Sequence, residues 1–173
     1  SGFALDLTTN DPVSGKPWDF NDDEMCAKAE QLVDEQRPLL LIGSPPCRAF
    51  NQLFSSNVSR MKPEAVRAII REGIKHVLFC VKLYKKQMSA GRFFLHEHPW
   101  GAWSWSLPEI RQLRNEIGVK LAKGNMCAQG MKLRDELGEA PVLKATGWLS
   151  NSDYILQELS IKCTNDGGPN DHR

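Results

Sequence analysis

Cys47 is the side chain best placed for covalent chemistry, and it follows Ser44-Pro45-Pro46 directly. Two prolines cannot continue a sheet ladder or enter a helix interior, so the backbone must reach Cys47 in a stiff, extended form. A thiol presented this way is a candidate nucleophile where its neighbours favour the thiolate. The alternative is a buried structural cysteine behind a tight turn, as free cysteines commonly are. A second chemical cluster is His96-Glu97-His98-Pro99. On a strand, alternation sends Glu97 to one face and His96 and His98 to the other.

The elements that position these groups are legible around them. Leu39-Leu40-Leu41-Ile42, closed by Gly43, reads as a short buried strand over Leu39–Ser44. Lys62-Pro63-Glu64 opens the longest helix, Pro63 being well suited to a first turn. Val66, Ile69, Ile70, Ile74, Val77, Leu78, Val81 and Tyr84 recur at three-and-four spacing along it. Its other side carries Arg67, Arg71, Lys75, Lys82 and Lys85, either a solvated face or a DNA contact. Arg92–His98 is the next strand. A βαβ unit of this kind has a right-handed crossover. If its strands are adjacent, Cys47 and Glu97 share a crevice at their carboxyl ends, where ligands bind in open α/β sheets.

The rest of the chain frames that unit. Phe3–Leu7 alternates as a strand, followed by a turn-rich Thr8 to Lys16. Asn21-Asp22-Asp23-Glu24 caps a helix to about Glu35, with Met25, Ala29, Leu32 and Val33 on one face. Arg48 to Ser59 is expected to be a mobile polar loop, and Trp100 to Ser106 an aromatic loop. A helix from Leu107-Pro108-Glu109 to about Ile117 precedes two strands, Val119 to Ala128 and Val142 to Trp148. These form an antiparallel edge hairpin separated by the charged segment Lys132 to Glu139. A short helix over Asp153–Leu159 and a Gly/Asn/Asp tail from Cys163 complete the chain. The expected fold is α/β: one domain over residues 1–173, with a Rossmann-like, mainly parallel sheet and flanking helices.

With 173 residues, 41% hydrophobic and 25% charged, and a net charge of +1, the chain has the composition of an ordinary globule with no global bias toward nucleic acid. No apolar run approaches a membrane span and no signal peptide opens the chain. Five cysteines (Cys26, Cys47, Cys80, Cys127, Cys163) form no CxxC pair, which points to reduced thiols and an intracellular setting. His96, His98, Cys127, Cys163 and His172 lack the short paired spacing of a structural zinc site, so no metal is expected. The zinc deaminase pattern is excluded because His-Glu is in direct succession and Pro46-Cys47 has no second cysteine.

Pro-Pro-Cys after one strand and a glutamate ending the next resemble the cytosine-5 DNA methyltransferase family, which has the class I S-adenosylmethionine-dependent fold. By this resemblance Cys47 adds to C6 of a flipped cytosine and Glu97 holds the ring N3. Ser44, Pro45 and Pro46 shape the turn. Asp6 and Asp19, with Phe20, are the candidates for binding the ribose and adenine of S-adenosylmethionine. Around the turn, Arg48 and Asn51 are candidate DNA contacts. The family's Pro-Cys-Gln reads Pro46-Cys47-Arg48 here, and Glu-Asn-Val reads Glu97-His98-Pro99. No Phe-x-Gly-x-Gly loop precedes Asp6, so an additional protein segment is expected to complete the cofactor site. Ser-Pro-Pro-Cys, His-Glu-His-Pro and Thr146-Gly147-Trp148-Leu149-Ser150-Asn151 are also similar to uncharacterised segments of transposon-like polyproteins.

Two other readings use the same residues. A methyltransferase-derived module binds nucleic acid or a partner without methylating. A cysteine hydrolase pairs Cys47 with His98, oriented by Asn51 or Asp19. Trp100 and Trp103 either stack an extruded base or anchor the end of the sheet.

Overall fold

The computed structural model describes residues 2–136 and 138–163. Helix α1 (Asp23–Gln36) starts where the Asp22 carboxylate accepts the Glu24 N–H and ends at Arg37 in the left-handed region (φ 48°). Strand β1 (Leu40–Gly43) follows, then the Pro45-Pro46 turn, helix α2 (Gln52–Asn57) and the long helix α3 (Pro63–Ser89). Beyond these come β2 (Phe93–Pro99), α4 (Pro108–Arg114), β3 (Lys120–Asn125), β4 (Lys132–Asp135), β5 (Gly138–Pro141), β6 (Ala145–Ser150) and α5 (Asp153–Leu159). The class is mixed α/β, and four strands form one mixed sheet in the order β1-β2-β6-β3. No helix among the described residues is long and apolar enough to cross a membrane.

β1 and β2 are parallel neighbours, with Leu40 opposite Phe93 and Gly43 opposite His96. One sheet face carries Leu41, Phe94, His96, His98 and Leu149. It is covered by Val77, Val81 and Tyr84 of α3, Ile110 and Leu113 of α4, and Phe50. The other face carries Leu95 and Trp148 under Leu156 of α5. Burying a side chain of this size stabilises by about 1.5–3 kcal/mol, so α3 is the main clamp on the sheet. Its basic side is occupied in part by α1. Lys75 reaches Asp23 at 2.7 Å, Lys86 reaches Glu30 at 3.0 Å and Asp34 at 2.6 Å, and Lys82 pairs with Glu30.

Several expectations are corrected. The sheet is not mainly parallel: β6 runs antiparallel to both β2 and β3. The last two strands of the sheet do pair antiparallel at its edge, with β3 outermost and β6 between it and β2. The charged segment between them pairs with itself as the β4–β5 ribbon. Phe3–Leu7 is not a strand. The Asp6 carboxylate accepts both the N–H and the hydroxyl of Thr8, and this local turn competes with any ladder. Arg48 to Ser59 is not a loop but a 3-10 turn (Arg48–Phe50), α2 and a second 3-10 turn (Val58–Arg60). Asn51 caps α2 through Phe54 N–H at 2.7 Å, while Phe50 and Phe54 are buried. Trp103–Ser106 is likewise a 3-10 turn. Helix α4 stops at Arg114, short of the expected Ile117. The Gly/Asn/Asp tail beyond Cys163, with His172, lies outside the described residues.

Gly43 is required where β1 passes α3. A Cβ there would fall 2.9 Å from Tyr84 Cζ and closer still to its hydroxyl. Gly43→Ala is therefore expected to cost about 1–3 kcal/mol through overpacking. Urea unfolding should show a lower midpoint at unchanged slope; an unchanged midpoint would contradict this packing.

Candidate functional site

The β1–β2 register places Ser44, just past β1, beside Glu97 on β2. The Ser44 hydroxyl donates to Glu97 Oε2, and Lys144 Nζ donates to Oε1 at 3.3 Å. The Glu97 side chain is 17% exposed, so this carboxylate is held from both sides at the carboxyl end of the parallel pair yet still reaches solvent. The chain leaves the same end through Pro45 and Pro46, and Cys47 starts the 3-10 turn, its carbonyl accepting the Phe50 N–H at 2.9 Å. Cys47 is half-buried. Trp103 supports this turn from below. Its indole N–H donates to the Ala49 carbonyl at 2.9 Å, and its ring lies edge-on to Phe50 at 4.6 Å.

His96 and His98 are fully buried on the opposite face from Glu97. His96 Nδ1 meets the Tyr84 hydroxyl at 3.0 Å, and His98 Nδ1 meets Ser104 Oγ at 2.5 Å. The Nε2 atom of each ring has no hydrogen-bond partner among the described residues. Burial holds His98 down to about 4, against the opposing pull of Glu97 and of the Pro45 and Pro46 carbonyls. Burial, reinforced by His98, holds His96 down to about 3. His98 therefore sits in the core as a neutral ring bonded to Ser104.

Asp6, Asp19, Phe20, Ser44 and Pro45, read separately from the sequence, line one cavity of about 990 Å³. It lies between the N-terminal segment, α1, α3 and the open edge of β1, with apolar walls from Trp18, Leu40 and Phe79. Phe20 and Phe79 meet at 5.1 Å between ring centroids. Asp6 and Asp19 each spend Oδ1 on their own turns, to Thr8 and Asn21. The bonds from Thr8 hold Asp6 below the ordinary carboxylate range.

Among the candidate DNA contacts, Arg48 is exposed at the start of the 3-10 turn, whereas Asn51 is occupied as the α2 cap. Trp100 is 39% exposed, and the Lys123 ammonium lies 5.4 Å from its ring centroid. Sequence reasoning missed Lys144 and Ser104. Nothing local marks either; each becomes functional only through a partner about fifty residues or six residues away, respectively. The Thr146–Asn151 motif proves to be β6 and its exit. Asn151 there accepts from Phe94 N–H at 2.9 Å and donates to the Arg92 carbonyl at 2.9 Å. Among the described residues no group of three or more His, Cys, Asp or Glu side chains is arranged to hold a metal. Comparison with protein-family models, curated proteins and solved structures gives no match.

The two buried histidines make stability depend on pH with a defined sign. Unfolded, each titrates near 6.5; folded, each stays neutral well below that. The unfolded chain then binds more protons, so stability is complete above pH 6.5 and declines as pH falls toward the folded values. The decline should reach about 1.4 kcal/mol per pH unit for each ring. His76, lowered by burial, acts in the same direction. Urea unfolding from pH 7.5 to 5 checks this, and a flat profile would contradict it.

Proposed function

We propose that this chain carries the cysteine–glutamate half of a cytosine-5 DNA methyltransferase-like centre. The observation behind this reading is the Ser44–Glu97–Lys144 lock at the ends of two adjacent parallel strands, with Pro45-Pro46-Cys47 leaving from the same point. A Rossmann-like derivation is supported by that parallel pair and by α1 and α3 clamped together beside it.

The chemistry follows from the needs of the ring. Carbon 5 of cytosine is a weak nucleophile until a thiolate adds at C6. Cys47 forms that C6–S bond, and the electron pair moves toward C5 while Glu97 holds the proton at N3. Ser44 and Lys144 fix the Glu97 carboxyl, so the ring is met by a group that need not reorganise. After transfer, loss of the C5 proton to a base expels the Cys47 thiolate and restores the ring.

S-adenosylmethionine is the cofactor this reading implies, and the cavity beside β1 fits it. Its volume suits a nucleoside-sized ligand, it has aromatic walls, and it has two carboxylates, Asp6 and Asp19. When bound, the cofactor supplies an electrophilic methyl carbon. Trp18, Phe20 and Phe79 would flank the adenine, and Asp6 and Asp19 would accept from the ribose hydroxyls.

An oligonucleotide carrying 5-azacytosine, whose C6 is strongly electrophilic, tests the nucleophile without cofactor. Intact mass should show a covalent adduct that Cys47→Ala abolishes and Glu97→Gln slows about 10²-fold. Binding without an adduct would leave a DNA-binding module and overturn the catalytic reading. Calorimetry with S-adenosylmethionine should show micromolar binding that weakens at least tenfold in Asp19→Ala; no binding at millimolar ligand would remove the cofactor assignment.

A further inference from the structure

Away from this site, the end of β3 carries a pair of thiols that no part of the proposed chemistry uses. Cys127 lies in the 3-10 turn Met126–Gln129 that follows β3. The segment after α5 returns alongside the end of β3: Asn125 N–H donates to the Ile161 carbonyl at 3.1 Å, and Cys163 N–H donates to Asn125 Oδ1 at 3.3 Å. These bonds bring Cys163 back to the strand end two residues before Cys127, and Cys163 is among the groups that act on the Cys127 thiol. Both are half-buried, so a small reagent has access. Gln129 Nε2, bonded to the Glu158 carbonyl at 3.2 Å, holds the turn and α5 together from a second position.

We propose that Cys127 and Cys163 form a reversible redox staple, closed by a low-molecular-weight disulfide such as glutathione disulfide. One protein thiolate attacks a sulfur of the oxidant, forming a mixed disulfide and releasing one glutathione thiolate. The second protein thiol loses its proton to that thiolate and attacks the protein sulfur of the mixed disulfide. This expels the second glutathione and leaves a Cys127–Cys163 bond. Two electrons pass from the two protein thiols to the oxidant, which leaves as two molecules of reduced glutathione.

The backbone bonds through Asn125 make this pair different from the other cysteines. They hold Cys163 beside the turn that carries Cys127, so the second step is intramolecular and outruns capture of another glutathione. Burial, and then the Cys163 thiol, hold Cys127 above its ordinary value, which slows the first attack but leaves the equilibrium to the pair. The closed staple fixes the Ile161–Cys163 segment to the strand end. Met126 N–H there also binds the Lys144 carbonyl at 3.0 Å.

The test equilibrates the whole chain with graded mixtures of reduced and oxidised glutathione, quenches in acid with an alkylating agent, and maps peptides without reduction. A Cys127–Cys163 crosslink should appear at about tenfold lower glutathione disulfide than glutathionylation of Cys26 or Cys80. Cys163→Ser should replace the crosslink with a stable glutathione adduct on Cys127, and Cys127→Ser should do the reverse. Independent glutathionylation of both cysteines in the wild-type chain, or crosslinks distributed among all five, would overturn the proposal. Circular dichroism of the two serine variants keeps the test meaningful, since each exchanges one half-buried thiol for a hydroxyl and should stay folded.

Discussion

The parallel pairing of β1 with β2 is the constraint on which the rest depends. Its register sets Gly43 against His96, and so puts Ser44 beside Glu97 rather than a residue earlier or later. A slip of one position would reverse the faces of β2, burying Glu97 and exposing two histidines. The register is enforced on the inner face by Tyr84, which fits only where β1 has no Cβ, at Gly43. Tyr84 then stacks on Phe94 at 4.6 Å and bonds His96. The same contact thus secures strand order, strand register and the outward direction of Glu97.

That arrangement separates two kinds of polar group on one strand. Glu97 is held by a hydroxyl and an ammonium and keeps an outlet to solvent, whereas His96 and His98 are neutral and buried among aromatic rings. Buried imidazoles of this kind cost stability unless their nitrogens find partners, and only Nδ1 of each does so among the described residues. The histidines therefore set a tolerance to acid, while the carboxylate one step along the strand remains available for chemistry. Alternation in a strand makes so close a division possible.

The neighbouring helices explain why the cavity exists where it does. β1 forms an edge of the sheet, and α1 is drawn toward α3 by Lys75, Lys82 and Lys86. Exposed ion pairs of this kind contribute little each, so their role is to orient α1 more than to stabilise it. The apolar contacts beneath them, among Trp18, Met25, Ala29 and Phe79, leave a wall facing the open edge of β1. Three carboxyl- and ring-bearing residues from a turn-rich segment, Asp6, Asp19 and Phe20, converge on that space.

The sequence by itself determined the local elements whose signals are local. The three-and-four spacing of α3, the Asp22 cap of α1, the Pro-Pro exit from β1 and the alternation of Glu97 with its flanking histidines all follow from backbone and burial preferences within a few residues. Where short polar side chains compete with the backbone, the local reading failed. Asp6 made a turn of an alternating segment, and Asn51 made a helix of a polar one. Only the tertiary structure decided that β6 enters the sheet between β2 and β3, because strand order depends on which apolar faces are left to bury once α3 and α4 have docked. It alone brought Lys144 to Glu97, Ser104 to His98 and Cys163 to Cys127. Each of these pairs depends on chain reversals whose geometry is fixed by packing, and no spacing in the sequence encodes that distance.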